Sequence, residues 1–188
     1  RSLEFQANYT LGFDKADDDN ERDPFSFRYV NAGNLEPEYN WSDRDARHRI
    51  NAFLLAIIPG DIYLNNRISI ATATPISGSC GRPGTPALGQ RASTPSDRNC
   101  TDGSILKRNT LRKENSIVSW DLRLSKPIKV GRGSRANTLE IIGEVFNVLN
   151  RDNFKDPSNT GLFLNFDGTI RSGIGEPRQV QTGLRLLF

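Results

Sequence analysis

Six segments of this chain alternate apolar and polar residues at every second position. In the first of them, one face carries Leu3, Phe5, Ala7, Tyr9, Leu11 and Phe13. Period-two alternation over this length is typical of a β-strand with one apolar face. No comparable stretch combines helical spacing with capping residues. The sequence therefore predicts an all-β fold.

The predicted strands are long. They run over about 2–13, 46–58, 62–74, 116–129, 138–148 and 178–188. Strands of a soluble sandwich usually have about five or six residues, whereas about ten are needed to cross a bilayer at a tilt. The length favours a membrane barrel, and the soluble β-sandwich is the alternative, because its strands alternate in the same way.

The connections between the predicted strands alternate between long and short. The long connections are 14–45, 75–115 and 149–177, and the short ones are 59–61 and 131–136. Outer-membrane barrels have this asymmetry, with short periplasmic turns and long extracellular loops. The sequence thus predicts an antiparallel transmembrane β-barrel whose last strand ends on the periplasmic side.

Composition excludes two other classes. The chain has 188 residues, with 25 Lys and Arg against 22 Asp and Glu, a net charge of +3. The longest apolar run, 53–58, is far shorter than the roughly 20 residues of a membrane-spanning helix. The small basic excess, mixed in sign along the chain, does not indicate nucleic-acid binding.

Six strands are too few to close a bacterial barrel, since the smallest have about eight. The extended runs 25–30 and 162–166 are too short to span, so we interpret them as loop extensions or loop hairpins. We therefore predict that residues 1–188 form the last six strands of a larger barrel. The chain contains no Met and no signal segment, so we expect a mature form or a fragment.

Two pairs of residues are candidates for specific roles. Cys80 and Cys100 lie in one polar stretch without the second cysteine pair or His pair of a zinc site, so a disulfide is the favoured state. Folding the hairpin around 131–136 places Arg123 near Glu144 on the polar face, as a lumen-facing ion pair.

The C-terminal strand offers one apolar edge through Leu184, Leu186 and Phe188. β-Augmentation recognises such a strand by backbone pairing and side-chain pockets. The alternative is a last strand whose apolar side chains simply face lipid.

The residues do not predict an enzyme. The only histidine, His48, lies between Arg47 and Arg49 without identifiable catalytic partners. The stretch from Asp97 resembles a calcium loop, but Arg108 stands where the bidentate Glu is needed. We therefore expect no catalytic residue, no cofactor and no metal.

Several motifs follow one another in a recognisable order along almost the whole chain. They are Tyr9-Thr10-Leu11 with the later acidic run 17–20, Asp45-Ala46-Arg47-His48-Arg49 before Pro59-Gly60, Asp121-Leu122-Arg123-Leu124-Ser125-Lys126, the stretch 144–151, and the closing stretch 177–188. Together they resemble the C-terminal barrel portion of TonB-dependent outer-membrane receptors, in particular the Oar-like group with a carboxypeptidase-regulatory-like domain. The loop 77–114, which holds both cysteines, matches only loosely.

The resemblance implies a receptor and transporter of the bacterial outer membrane, with a barrel of about 22 strands around a plug. It implies that the plug, the remaining strands and the segment that contacts TonB lie in an N-terminal part outside this chain. It also implies contact with outer-membrane lipid and lipopolysaccharide. The barrel-assembly machinery would recognise the C-terminal strand, with Leu184, Leu186 and Phe188 as the assembly signal. An unknown ligand would be captured by the extracellular loops and taken up with energy from the inner membrane. The alternative function is that of a complete small OmpA-type barrel with a structural or adhesive role.

Overall fold

The computed structural model describes residues 2–17, 29–113, 115–131, 137–153, 163–164, 170–172 and 177–188. The described residues form ten strands and one short 3₁₀ helix, Pro95–Arg98. The strands are β1 (Leu3–Leu11), β2 (Lys15–Ala16), β3 (Asn40–Trp41), β4 (His48–Ile58), β5 (Ile62–Ala71), β6 (Ile117–Val130), β7 (Asn137–Phe146), β8 (Phe163–Leu164), β9 (Ile170–Ser172) and β10 (Gln179–Leu187).

The six long strands form one antiparallel sheet in the order β1-β4-β5-β6-β7-β10. Each long strand therefore pairs with the next long strand along the chain. The predicted all-β fold and its six antiparallel strands are confirmed. Closure into a barrel and insertion into a membrane stay predictions. Within the described residues, no helix has the length and apolar character needed to cross a membrane.

The strands end within about three residues of the predicted limits, and local chemistry explains two of the differences. β5 ends at Ala71, not residue 74, and Pro75, which cannot donate a ladder hydrogen bond, follows closely. β7 ends at Phe146, not residue 148, because Asn147 adopts a left-handed conformation with φ of 49°. Of the two short runs, 163–164 pairs with 170–172 as a loop hairpin, whereas 25–28 lies outside the described residues.

The cross-strand register gives the sheet two different faces. Ile70 lies opposite Ile50 on β4 and opposite Val118 on β6, and Val145 lies opposite Leu122 on β6 and Val180 on β10. We call the face that carries these residues the apolar face. Its exposed large apolar side chains, those of Leu3, Phe5, Tyr9, Ile50, Ile58, Ile70, Leu124, Ile128, Ile141, Val180, Leu184 and Leu186, come from all six strands.

The tight connection between β4 and β5 depends on two residues with positive φ. Gly60 has φ of 90° and Asp61 has φ of 53°. Glycine adopts this conformation without steric cost, and Asp tolerates it better than most residues. The result is a three-residue connection that holds Ile58 directly opposite Ile62.

The chain divides into two compact units. The sheet unit contains Arg1–Thr10, Arg49–Ala71 and Ile117–Phe188, and the loop unit contains Leu11–His48 and Thr72–Ser116. The loop unit consists of two of the long connections between strands. The β2–β3 pair lies within the first connection, and contacts between residues of both connections join the two. These contacts include a hydrogen bond from the Arg108 N–H to the Pro37 carbonyl at 2.9 Å.

Asn147 closes the turn after β7 and generates the first testable prediction. Its backbone N–H donates to Asp121 Oδ1 at 3.0 Å, its side-chain amide donates to the Arg151 carbonyl at 2.9 Å, and its Oδ1 accepts from the Arg151 N–H at 3.1 Å. Asn147→Ala removes both side-chain bonds and places a less tolerant residue at positive φ. We expect a loss of about 1–3 kcal/mol in the free energy of unfolding, measured by denaturant titration.

The matched control is Asn51→Ala, which removes one exposed hydrogen bond to Ser69. Equal losses in the two variants would contradict the role of Asn147 in the turn.

Candidate functional site

The polar face of the sheet, opposite the apolar face, carries an ordered set of charged side chains. In the register, Glu144 lies between Arg123 on β6 and Gln181 on β10, and Glu140 lies opposite Arg185. Opposite charges on facing strands stabilise the pairing of those strands.

The distances show that these charges compensate one another. Arg123 contacts Glu144 at 3.2 Å and Glu140 at 3.7 Å, and Arg185 Nη2 lies 2.8 Å from Glu140 Oε2. That last contact is an ion pair by distance, although its geometry does not satisfy a hydrogen bond. Gln181 donates to the other oxygen of Glu144. Two carboxylates and two guanidinium groups thus form one connected network.

The interior of the loop unit is unusually polar. Among its described residues, the buried apolar ones are Ala46, Ala73, Pro75 and Ile76, and the buried polar and charged ones are Glu38, Ser42, Asp45, Ser79, Asp97, Arg98, Arg108, Asn109 and Asn115. Burying such groups is favourable only when they are paired and hydrogen-bonded. The loop unit therefore depends on specific polar contacts more than on apolar packing.

The centre of the loop unit is an ion pair between Arg98 and Glu38, each with only 1% of its side chain exposed. Arg98 Nη2 lies 2.5 Å from both carboxylate oxygens, and Arg98 Nη1 donates to the Leu106 carbonyl at 3.1 Å. Glu38 also accepts from the Val30 N–H at 3.0 Å. The pair connects residues 60 positions apart and so joins the two connections.

A second cluster surrounds the buried carboxylate of Asp45, whose side chain is 1% exposed. Arg112 pairs with this carboxylate and donates to the Asp45 carbonyl at 2.6 Å, and Arg47 lies 3.3 Å from the same carboxylate oxygen. The Arg47 guanidinium also lies 4.3 Å from the Trp41 ring and 4.4 Å from the Phe13 ring. Cation–π contacts of this kind hold the guanidinium between two aromatic rings.

The third fixed point of the loop unit is the segment around Asp97. Asp97 Oδ2 accepts from the N–H groups of Ser93 at 2.7 Å and Thr94 at 2.9 Å. Burial alone would raise the pKa of Asp97, but the hydrogen bonds from Thr94 and Ser93 and the charge of Arg82 outweigh it and lower that pKa below its ordinary value. The carboxylate is therefore held in its charged form.

The structure joins Cys80 and Cys100 in a disulfide across 20 residues. Next to Cys80, fully buried Ser79 donates its hydroxyl to the Pro86 carbonyl at 2.6 Å. A crosslink of this length reduces the freedom of the unfolded loop.

The residues singled out from the sequence lie as follows. Arg123 and Glu144 are brought together, as are Cys80 and Cys100. Leu184, Leu186 and Phe188 are all exposed at the end of the edge strand β10. His48 is exposed at the start of β4. Among the described residues, no group of His, Cys, Asp and Glu side chains is arranged to hold a metal ion.

Sequence reasoning missed the two ion pairs that organise the loop unit. Glu38 and Arg98 are far apart along the chain, and neither lies in a periodic segment. Asp45 and Arg47 do lie in the motif 45–49, which leads into β4. Their separation by two residues was the signal that could have predicted this cluster.

Comparison with known proteins adds no relative: no protein-family model, no curated protein and no solved structure matches the chain significantly.

The buried Arg98–Glu38 pair generates a prediction on stability. Arg98→Met leaves the Glu38 carboxylate buried without its partner, and we expect it to lower the free energy of unfolding by about 3–5 kcal/mol. The double variant Glu38→Leu with Arg98→Met removes both charges and should recover most of that loss. Unfolding is followed by Trp41 fluorescence in a Trp120→Phe background, because Trp41 lies in the loop unit.

Glu36→Gln, an exposed position two residues before Glu38, is the control. If Arg98→Met costs no more than Glu36→Gln, the ion pair does not organise the unit.

The lowered pKa of Asp97 predicts a pH dependence. A carboxyl whose pKa is lower in the folded state contributes stability above its unfolded pKa, and this contribution is lost as the pH falls through the folded pKa. The denaturant midpoint of unfolding, followed by Trp41 fluorescence, should therefore decrease as the pH is lowered below the ordinary Asp pKa of about 3.9. Asp97→Asn should lower the denaturant midpoint of unfolding at pH 7 and should make this midpoint decrease less at low pH.

Ser104 also lowers the pKa of exposed Asp102, so some of the decrease should remain in Asp97→Asn. Parallel pH profiles for the variant and the original chain would exclude Asp97 as the cause.

Proposed function

We propose that the chain is the C-terminal segment of a TonB-dependent outer-membrane receptor, where it forms part of the barrel wall and of the extracellular loops that capture a ligand. The observation that carries the proposal is the exposed apolar face of the six-stranded sheet. Leu3, Phe5 and Leu184 are exposed by 71%, 66% and 73%. Lipid is the environment in which such a face is stable.

A soluble sheet buries its apolar face and exposes its polar face to water. In this sheet the apolar face remains exposed at many positions, although Phe53, Leu55 and Ile57 also place apolar side chains on the polar face. The buried strand residues Ser125 and Glu140 belong to the polar face, where Glu140 joins the charge network. The sheet is therefore arranged like the wall of a barrel, with apolar side chains outward and polar side chains towards a water-filled interior.

The loop unit suits ligand capture outside the cell. Its buried ion pairs fix the positions of the two connections, and a fixed binding surface loses less entropy when a ligand binds. The disulfide between Cys80 and Cys100 is typical of an oxidising compartment. In this proposal the loop unit is extracellular and contributes binding without chemistry.

The partners in this proposal are those that the family resemblance implies. Outer-membrane lipid and lipopolysaccharide cover the apolar face, and the barrel-assembly machinery pairs with the edge strand β10. The plug and the segment that contacts TonB belong to an N-terminal part outside residues 1–188, and the transported ligand is unknown.

A pair of charge substitutions on β4 tests which face meets lipid. Leu54→Arg places a charge on the apolar face, at a cost of about 2–4 kcal/mol near the bilayer midplane. Asn51→Arg places the same side chain on the polar face of the same strand. We expect less heat-modifiable protein in outer-membrane fractions for Leu54→Arg and near-normal amounts for Asn51→Arg. Equal assembly of both variants would contradict the assignment of the faces.

The intact mass of the polypeptide in native outer membranes separates the proposal from a complete small barrel. A species several-fold heavier than 21.0 kDa supports the receptor. A species of 21.0 kDa supports the OmpA-type structural or adhesive barrel instead.

A further inference from the structure

An apolar stripe lies on the polar face of the sheet, on β4. Phe53, Leu55 and Ile57 occupy three successive polar-face positions of this strand. The facing positions on β5 are polar: Arg67, Asn65 and Tyr63. Phe53 is 38% exposed, and Leu55 and Ile57 are half-buried. The described residues therefore cover the apolar stripe only in part.

The apolar stripe occupies one half of β4. It runs from Phe53, near the middle of the strand, to Ile57 beside the turn to β5. The other half of β4 carries Arg49 and Asn51 on the same face, and both are exposed. Because the proposed barrel has its short turns on the periplasmic side, the apolar stripe belongs to the periplasmic half of the wall.

Arg67 lies beside the apolar stripe, directly opposite Phe53 in the register. Its side chain is exposed, and in the part of the chain that the structure describes it makes no hydrogen bond or ion pair. The facing carboxylate on β6, Asp121, accepts instead from the Ser119 hydroxyl at 3.2 Å and from the Asn147 N–H at 3.0 Å. The charge of Arg67 is thus available to a carboxylate of a partner.

The composition of this surface indicates contact with protein. Exposed apolar patches with polar rims mark interaction sites, and aromatic and Arg side chains are enriched in protein–protein interfaces. Lipid does not fit this face, because it also carries the charge network of Arg123, Glu140, Glu144 and Arg185. In the proposed barrel the face points inward, where the plug is the protein that can reach it.

We propose that the plug packs against the periplasmic half of this wall, with apolar side chains on the apolar stripe and a carboxylate on Arg67. The inference rests on the proposed function, which supplies the closed barrel and the plug. It adds which surface of the wall the plug contacts and the chemistry of that contact. Arg49 and Asn51 then line the space on the extracellular side of the plug.

The experiment uses the full-length protein in outer membranes, with the photo-crosslinking residue p-benzoylphenylalanine introduced at one position at a time. The test position is Phe53. The controls are Asn51, on the same face outside the apolar stripe, and Leu54, on the apolar face. Mass spectrometry after irradiation identifies what each position captures. We expect position 53 to capture a plug peptide from outside residues 1–188, position 51 to capture none, and position 54 to capture lipid.

A charge reversal tests the contact of Arg67. Arg67→Glu places a like charge against the plug carboxylate and should reduce the capture at position 53 at least about fivefold. Arg67→Lys is the matched control, because it keeps the charge and should retain most of the capture.

Three results would overturn the inference: no capture of a plug peptide at position 53, equal capture at positions 51 and 53, or equal capture in Arg67→Glu and Arg67→Lys. Heat-modifiability and intact mass are measured in parallel. An assembled protein several-fold heavier than 21.0 kDa without plug capture refutes the plug contact alone. A species of 21.0 kDa, or capture of lipid at position 53, refutes the proposed function.

Discussion

The cross-strand register is the constraint on which the rest of the sheet depends. Because side chains alternate along a strand, a slip of one residue would move every apolar side chain of that strand to the other face. The pairing of Arg123 with Glu144 and of Arg185 with Glu140 holds β6, β7 and β10 in one register. The exposed apolar face and the charged polar face both follow from that single alignment.

The loop unit reaches order by different means. Few of its described apolar residues are buried, and Ala46 and Ala73 among them are small. Most of the other buried side chains described there are polar or charged. A buried ion pair contributes little net stability, since desolvation offsets most of its attraction. Removing one partner is nevertheless costly, because the other charge then remains buried and unpaired. Arrangements of the two connections that separate Glu38 from Arg98 are therefore disfavoured. The disulfide acts separately, by restricting the unfolded chain.

Local pattern was sufficient to predict the strands and not the loop unit. Alternation predicted six antiparallel strands, and folding one hairpin about its centre placed Arg123 beside Glu144. The strand ends differ from the prediction where the backbone leaves the extended conformation, as at Asn147, whose φ is positive. The Glu38–Arg98 pair could not be predicted, because it joins two aperiodic segments through tertiary contacts.

Trp120 reports directly on the proposal that lipid covers the apolar face. Trp120 lies on that face opposite Ile68, with its indole N–H bonded to Asn66 at 3.0 Å. The decisive measurement is the quenching of Trp120 fluorescence in bilayers whose lipid acyl chains carry bromine. It uses the full protein with Trp41→Phe and with every other tryptophan replaced by Phe, so that Trp120 is the only indole. The account predicts strong quenching by the brominated lipid and weak quenching by aqueous iodide. Strong quenching by iodide with none by the brominated lipid would contradict it.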